Sequence, residues 1–229
     1  EFPDTMNDEI KEYLRKQGIN ALYTHQTEMF EKAGRGENTV ITTSTASGKT
    51  LAFLLPVLQK ILEDPLTRAI FVYPTKALAS DQYRSLQPVL EYFGEGKIRI
   101  RKSANIILTN PEMLNSAFLP NHSKYGFDFI FANLRYIVID ELHSYRGAFG
   151  AHLANIFRRM YRICQYYHSS PQFLCSSATI ANPVELAKKV CGTAFSLIEK
   201  DGSPSPVREY RIIQPPEIKG NNDKVYGRI

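Results

Sequence analysis

Residues 39–50 read TVITTSTASGKT, a β-branched run that passes through a hydroxyl-rich turn into glycine, lysine and threonine. Branching at Cβ stiffens χ1 and suits a pleated strand, so residues 39–43 are expected to form one. From Gly48 the apolar spacing becomes that of a helix, which runs to residue 62 as GKTLAFLLPVLQKIL. A strand, a tight loop and a helix in that order leave unpaired backbone N–H groups at the helix start, where they can surround phosphate oxygens. In such a P-loop Thr45, Ala46, Ser47 and Gly48 supply amides around a β-phosphate, Lys49 neutralises β- and γ-oxygens, and Thr50 ligates a magnesium ion. Thr43 stands where the usual pattern has its first glycine, so only Gly48 is left to give the turn its freedom.

Four further runs, at 69–73, 105–109, 135–140 and 172–177, are apolar nearly throughout instead of alternating. Strands of that kind are buried on both faces, as in a parallel sheet with helices over each side. Helical stretches at 76–92, 111–116, 149–168 and 183–191 separate them, which is the β-α alternation of such a sheet. Two helices precede the first strand: 7–18, stopped by Gly18, and 24–33, with Thr24 as N-cap and Gly34 as its stop. The expected fold class is α/β, a parallel β-sheet covered by helices on both faces. Residues 1–36 would be a helical lead-in, 37–200 the sheet-bearing domain, and 201–229, with DGSPSP, QPP and GNN, a loop-rich exit.

A length of 229 residues suits one large domain, and 43% hydrophobic with 22% charged residues sets aside a disordered or fibrous chain. No apolar run approaches the 18 or so residues a membrane span needs, so no membrane is expected as partner. The start, EFPDTMNDEIKEY, has neither a basic end nor an apolar signal core, so the expected setting is cytoplasmic, nucleoid-associated or nuclear. Cys164, Cys175 and Cys191 lack CxxC spacing, which argues against a disulfide framework and a zinc site and leaves buried thiols. The net charge of +5 favours a polyanionic partner. Its clustering is sharper: KIRIRK at 97–102 holds four cations, and Arg158, Arg159 and Arg162 are spaced to share a helical face. Solvated surface is the plain alternative for each.

Residues 135–140, RYIVID, form an apolar strand that ends in a carboxylate, followed by Glu141, Leu142 and His143. Asp140, at a strand's carboxyl end, can hold magnesium, and Glu141 can polarise the water that attacks a γ-phosphate. Such a pair can also merely cap the next helix; the independent phosphate loop is what favours chemistry here.

Gln26, TSTASGKT at 43–50, DELH at 140–143 and SSAT at 176–179, in this order and spacing, resemble motifs Q, I, II and III of superfamily 2 helicases. LYTHQ at 22–26, ILTNPEML at 107–114, DELHSYRGAFGAHLANIFRR at 140–159 and SSATIANPVELA at 176–187 are similar, more narrowly, to the DEAH-type, RecQ-like lineage that includes mitomycin repair factor A. The resemblance covers about residues 20–190. It implies the first of two RecA-like domains of an ATP-driven DNA translocase, generally moving 3′ to 5′ and connected with DNA repair. ATP and Mg2+ are the implied cofactors; single-stranded DNA and a second RecA-like domain of the same protein are the implied partners. Position by position, Gln26 would read the adenine edge, with Tyr23 beside it. Pro74, Thr75, Lys76 and Gln82 look like motif Ia, and Thr109, Asn110 and Pro111 like motif Ib, both meeting the nucleic-acid backbone. Ser177, Ala178 and Thr179 would link the acidic motif to the nucleic-acid side, with His143 between ATP and that motif. The implied catalytic set is Lys49, Asp140, Glu141 and His143, with Thr50 and Asp140 on the metal.

The chain departs from the family between motifs Ia and Ib, where FGEGKIRIRKSANI at 93–106 replaces a longer segment with a further strand and a glycine-containing DNA contact. Either the protein is trimmed there or residues are missing between Gly96 and Lys97. KIRIRK, including Arg101, is then the basic end of a DNA-contact loop. The second RecA-like domain with its arginine finger is absent, so these residues alone are expected to hydrolyse ATP at less than about one turnover per second and to unwind nothing. Two other readings stay open: a DEAD-box-type RNA helicase, which also has Gln26 and SAT, and a non-motor nucleotide-dependent binding module. His143 and YRGAFG favour the DNA lineage, and the complete set Lys49, Thr50, Asp140 and Glu141 argues against decay.

Overall fold

Thr39–Thr42 (β1), Arg68–Val72 (β2), Ile106–Thr109 (β3), Leu134–Ile139 (β4), Gln172–Ser177 (β5) and Ser196–Ile198 (β6) form one sheet in the order β3-β2-β4-β5-β1-β6, every pair parallel. The structure is a computed structural model that describes residues 1–43, 47–94, 104–204, 217–219 and 225–228. The helices are Asp8–Lys16 (α1), Thr24–Gly34 (α2), Lys49–Glu63 (α3), Lys76–Gly94 (α4), Pro111–Met113 (α5, continued by a π turn at Leu114–Phe118), Phe127–Ala132 (α6), Gly147–Tyr166 (α7) and Pro183–Cys191 (α8). This is the expected α/β architecture, with a RecA-like sheet between two helical layers.

Alternation within each strand decides which layer it meets. Ile41, Phe71, Val138 and Leu174 point into a core shared with α1 to α4. Their neighbours Val40, Ile70, Ile137 and Phe173 point into a second core with the π turn, α6, α7 and α8. Both faces are therefore dry, which is why these strands read as unbroken apolar runs. Residues 1–36 share the first core: Met6, Ile10, Leu14, Met29 and Phe30 pack with Phe53 and Leu54 of α3. At about 1.5–3 kcal/mol for each fully buried apolar side chain, that contact holds the lead-in firmly on the sheet domain.

Several expectations need correction. Thr24 is the first helical residue of α2, not its cap; the cap position is Tyr23, whose N–H donates to Gln26 Oε1 at 3.0 Å. Gly34 is the last residue of α2 and Arg35 its C-cap. α6 and β6 have six and three residues, too few to show a period in sequence. Within the loop-rich exit segment Glu217–Lys219 (β7) and Val225–Arg228 (β8) pair antiparallel. Cys164 and Cys175 are fully buried and Cys191 partly so; all three are free, and burial pushes the Cys164 thiol up to about 11. Among the described residues no helix is long and apolar enough to cross a membrane, and no group of three or more His, Cys, Asp or Glu is gathered as a metal site.

Candidate functional site

Because every crossover returns the chain in the same direction, the turns that follow the strands collect at one edge of the sheet. The register is Thr42 beside Ser177, Val72 beside both Thr109 and Ile139, and Ile139 beside Cys175. β5 lies between β1 and β4, so Ser176 and Ser177 stand between the phosphate loop and Asp140.

Of the loop, Thr45 and Ala46 lie outside the described residues. Thr43 Oγ1 and Ser47 Oγ are 2.6 Å apart, and Lys49 Nζ donates to Thr43 O at 2.9 Å and to Ser177 O at 3.5 Å. Gly48 is left-handed, with φ 78° and ψ 30°, and begins α3. A Cβ there would stand 2.7 Å from Gln26 Nε2, which donates to Gly48 O at 3.2 Å. Gly48→Ala therefore combines backbone strain with displacement of Gln26, and is expected to lower stability by roughly 1–2 kcal/mol, read from urea melts.

Gln26 is only 3% exposed, with Oε1 spent on Tyr23 N–H and Nε2 on Gly48 O. It braces α2 against the phosphate loop, leaving one N–H and one lone pair for any other partner. The half-exposed Tyr23 ring stacks on His25 at 5.8 Å. His25, which flanks Gln26 and was given no role from sequence, is fully buried and makes a second brace: Nδ1 accepts from Gly202 N–H at 3.4 Å, so Nε2 carries the proton and donates to Ser47 O at 2.9 Å. Burial holds the imidazole below its ordinary pKa, against the opposing Ser47 hydrogen bond and the Asp201 carboxylate 3.8 Å away. Gly202 allows this docking, since a Cβ would fall 2.6 Å from the Thr24 nitrogen.

Asp140 is buried, and its Oδ1 accepts from Glu141 N–H at 3.0 Å and from Ser176 Oγ. Ser176 stands inside the SSAT motif but was given no role of its own; the β4–β5 register is what puts it beside Asp140. Glu141 adopts φ 55° and ψ 42°, a left-handed conformation that costs a non-glycine residue about 1–2 kcal/mol. Ala178 N–H donates to His143 Nδ1 at 3.1 Å, so the ring proton sits on Nε2, which lies 3.1 Å from Glu141 Oε2. A hydrogen bond from the end of β5 thus holds His143, whose other ring nitrogen lies close to the Glu141 carboxylate. The Ser177 hydroxyl, expected to couple the motifs, is buried without a partner among the described residues, and Thr179 is exposed. Tyr73 and Tyr145, whose buried hydroxyls are likewise unpaired, have their phenols pushed up by burial and then by the Asp140 charge.

The expected nucleic-acid contacts divide. Thr75 and Lys76 are exposed at the start of α4, where Thr75 Oγ1 accepts from Leu78 N–H at 3.2 Å; Pro74 and Gln82 are half-buried. The neighbouring turn is spent on starting a helix: Asn110 Oδ1 caps α5 by accepting from Met113 N–H at 2.9 Å, and Thr109 and Pro111 are buried. The Thr109 and Pro111 side chains are therefore not free to meet a strand. Backbone bonds tie the edge together, from Tyr73 N–H to Thr109 O at 3.0 Å and from Asp140 N–H to Val72 O at 3.1 Å. Arg101 and the rest of KIRIRK lie outside the described residues.

Residues 23–187 match the DEAD/DEAH box helicase family. Over 95% of its length the chain is 45% identical to the uncharacterized ATP-dependent helicase YprA of Bacillus subtilis (strain 168), of which it covers 31%. It is 38% identical to the ATP-dependent helicase HRQ1 of Saccharomyces cerevisiae over 88% of its length, covering 20% of that protein. Among solved structures it resembles the DUF1998 helicase MrfA bound to DNA, and the same protein bound to DNA and AMPPNP, with 46% identity and a TM-score of 0.84 over 89% of the chain. The chain thus spans about a third or less of the length of these relatives. With its phosphate loop, acidic pair and β5 serines gathered at one sheet edge, the chain belongs to the DEAD/DEAH box helicase family.

Proposed function

We propose that this chain is the nucleotide-binding half of an ATP-driven motor that moves 3′ to 5′ on single-stranded DNA, working with a second RecA-like domain of the same protein. The carrying observation is that β5 brings Lys49 and Asp140 to consecutive residues, Ser177 and Ser176. A Mg–triphosphate fits this edge: Lys49 and Asp140 lie on either side of the β5 end, and Asp140 Oδ2 has no partner among the described residues. Thr50 and Asp140 are the groups that would hold a magnesium ion, which supplies charge neutralisation and orientation of the phosphates when bound. Lys49 is placed to leave Thr43 O for phosphate oxygens. Glu141 accepts the proton of the attacking water, with His143, held by Ala178, beside its carboxylate. Motion of the β5 end then reaches the catalytic carboxylate through the Ala178–His143 hydrogen bond and the His143–Glu141 contact, which is how nucleic acid on Thr75 and Lys76 and a second RecA-like domain would govern turnover.

Residues 37–200 with the packed lead-in 1–36 form the domain, and 201–229 lead toward the second one. DNA is favoured over RNA because the relative at 46% identity was solved with DNA. The deciding experiment compares ATP turnover of the whole protein with oligo-dT, with oligo-rU and with neither. Stimulation of at least about tenfold, a barrier change of ~1.4 kcal/mol, is expected from dT and less from rU. Equal stimulation by both would leave an RNA-competent helicase, and none by either would leave a nucleotide-dependent scaffold.

A further inference from the structure

α7 turns a stripe outward at the amino edge of the sheet, away from the phosphate loop. Arg158, Tyr161, Arg162, Gln165 and Tyr166 follow the spacing of one helical face, and all five are exposed, Tyr161 by 51% and Tyr166 by 71%. The first four border a groove of about 1200 Å³ whose floor includes Phe157 and Phe173 and whose far side includes Arg135. Arg135 is five residues before Asp140, so the groove lies ~16 Å along β4 from the nucleotide edge.

Charge at this face is not balanced internally. Arg35 pairs with Glu37 and Lys60 with Glu63, whereas Arg135, Arg158 and Arg162 form no ion pair among the described residues. Arg158 gives one N–H to Asn155 Oδ1 at 2.8 Å. Arg159, which its spacing placed with these two, instead turns to Asn115 on the π turn. Three guanidiniums therefore face outward beside two exposed phenol rings.

Guanidiniums attract any polyanion, but rings set between them along one helix offer flat faces to unpaired bases, which duplex DNA and acidic peptides lack. We propose that this face of α7 is a second binding surface for single-stranded nucleic acid, separate from the motor edge and independent of nucleotide. Phosphates would meet Arg135, Arg158 and Arg162, and bases would stack on Tyr161 and Tyr166. The proposal stands without the motor reading, since binding here requires neither ATP nor Asp140.

The test is fluorescence anisotropy of labelled dT20 with the whole protein, free of nucleotide, across a salt series, with rU20 as a parallel arm. Arg158→Ala with Arg162→Ala should lower the slope of log affinity on log salt by about 1.4, from ~0.7 per lost phosphate contact. Tyr161→Ala with Tyr166→Ala should weaken binding about tenfold at unchanged slope, and the Tyr→Phe pair should restore it. The motor reading is tested separately by ATP turnover, which this nucleotide-free measurement does not use. A tenfold loss confined to dT20 or to rU20 identifies the strand chemistry. Affinity within twofold of the parent in both double variants overturns the proposal. So does loss in the arginine pair alone with displacement by polyglutamate, which would mark the face as a site for an acidic protein.

Discussion

Glu141→Gln in the whole protein should lower nucleic-acid-stimulated ATP turnover by at least about 10², the low end of what a positioned general base contributes. The substitution keeps the side chain's shape beside His143, so the Ala178–His143 hydrogen bond is undisturbed. What is lost is the ability to take a proton from the attacking water. Nucleotide affinity, measured with a fluorescent ATP analogue, should stay within about threefold, because a base that acts only in the transition state contributes little to ground-state binding. Turnover close to that of the parent would remove Glu141 from the catalytic set and leave its strained backbone without a functional reason.

Lys49→Ala should cost at least about 10² in the same turnover, and here binding should fall too, because an ammonium beside β- and γ-oxygens acts in both ground and transition states. The contrast is the useful part: Glu141→Gln separates binding from chemistry, whereas Lys49→Ala lowers both. In the free protein the ammonium bridges Thr43 O and Ser177 O, so its loss also releases the loop from β5. A thermal melt should report a modest change, on the order of 1 kcal/mol for the lost hydrogen bonds. Unchanged nucleotide affinity in this variant would mean that the loop holds phosphate by its backbone amides alone.

The five long strands and most of the helices were legible because local signals suffice for them. Unbroken apolar runs such as 69–73 can be satisfied only by burial on both faces, and the change of period at Gly48 marks a strand, a loop and a helix. The motif residues were legible as a set for the same reason, each standing at the end of a run that already read as a strand. The pairing of those ends was not. Ser176 was passed over because only the parallel register of β4 and β5 sets it against Asp140. Gln26 was legible as the motif Q residue, but not its role as a brace, which arises because α2 packs on α3 and sets it behind the phosphate loop. Asn110 and Pro111 fit a backbone contact equally well until the start of α5 claims them.

From its residues alone this chain was committed to a doubly covered parallel sheet, since Val40 to Thr42, Ile70 to Val72 and Ile137 to Ile139 have no other way to leave water. Which carboxylate oxygen is held, which nitrogen of His143 carries the proton and which arginines of α7 face a groove were decided only when distant segments met. Hydrophobic burial follows local pattern and can be read along the chain, whereas a hydrogen bond between residues 36 apart, such as that of Asp140 and Ser176, depends on angles that the packed strands alone set.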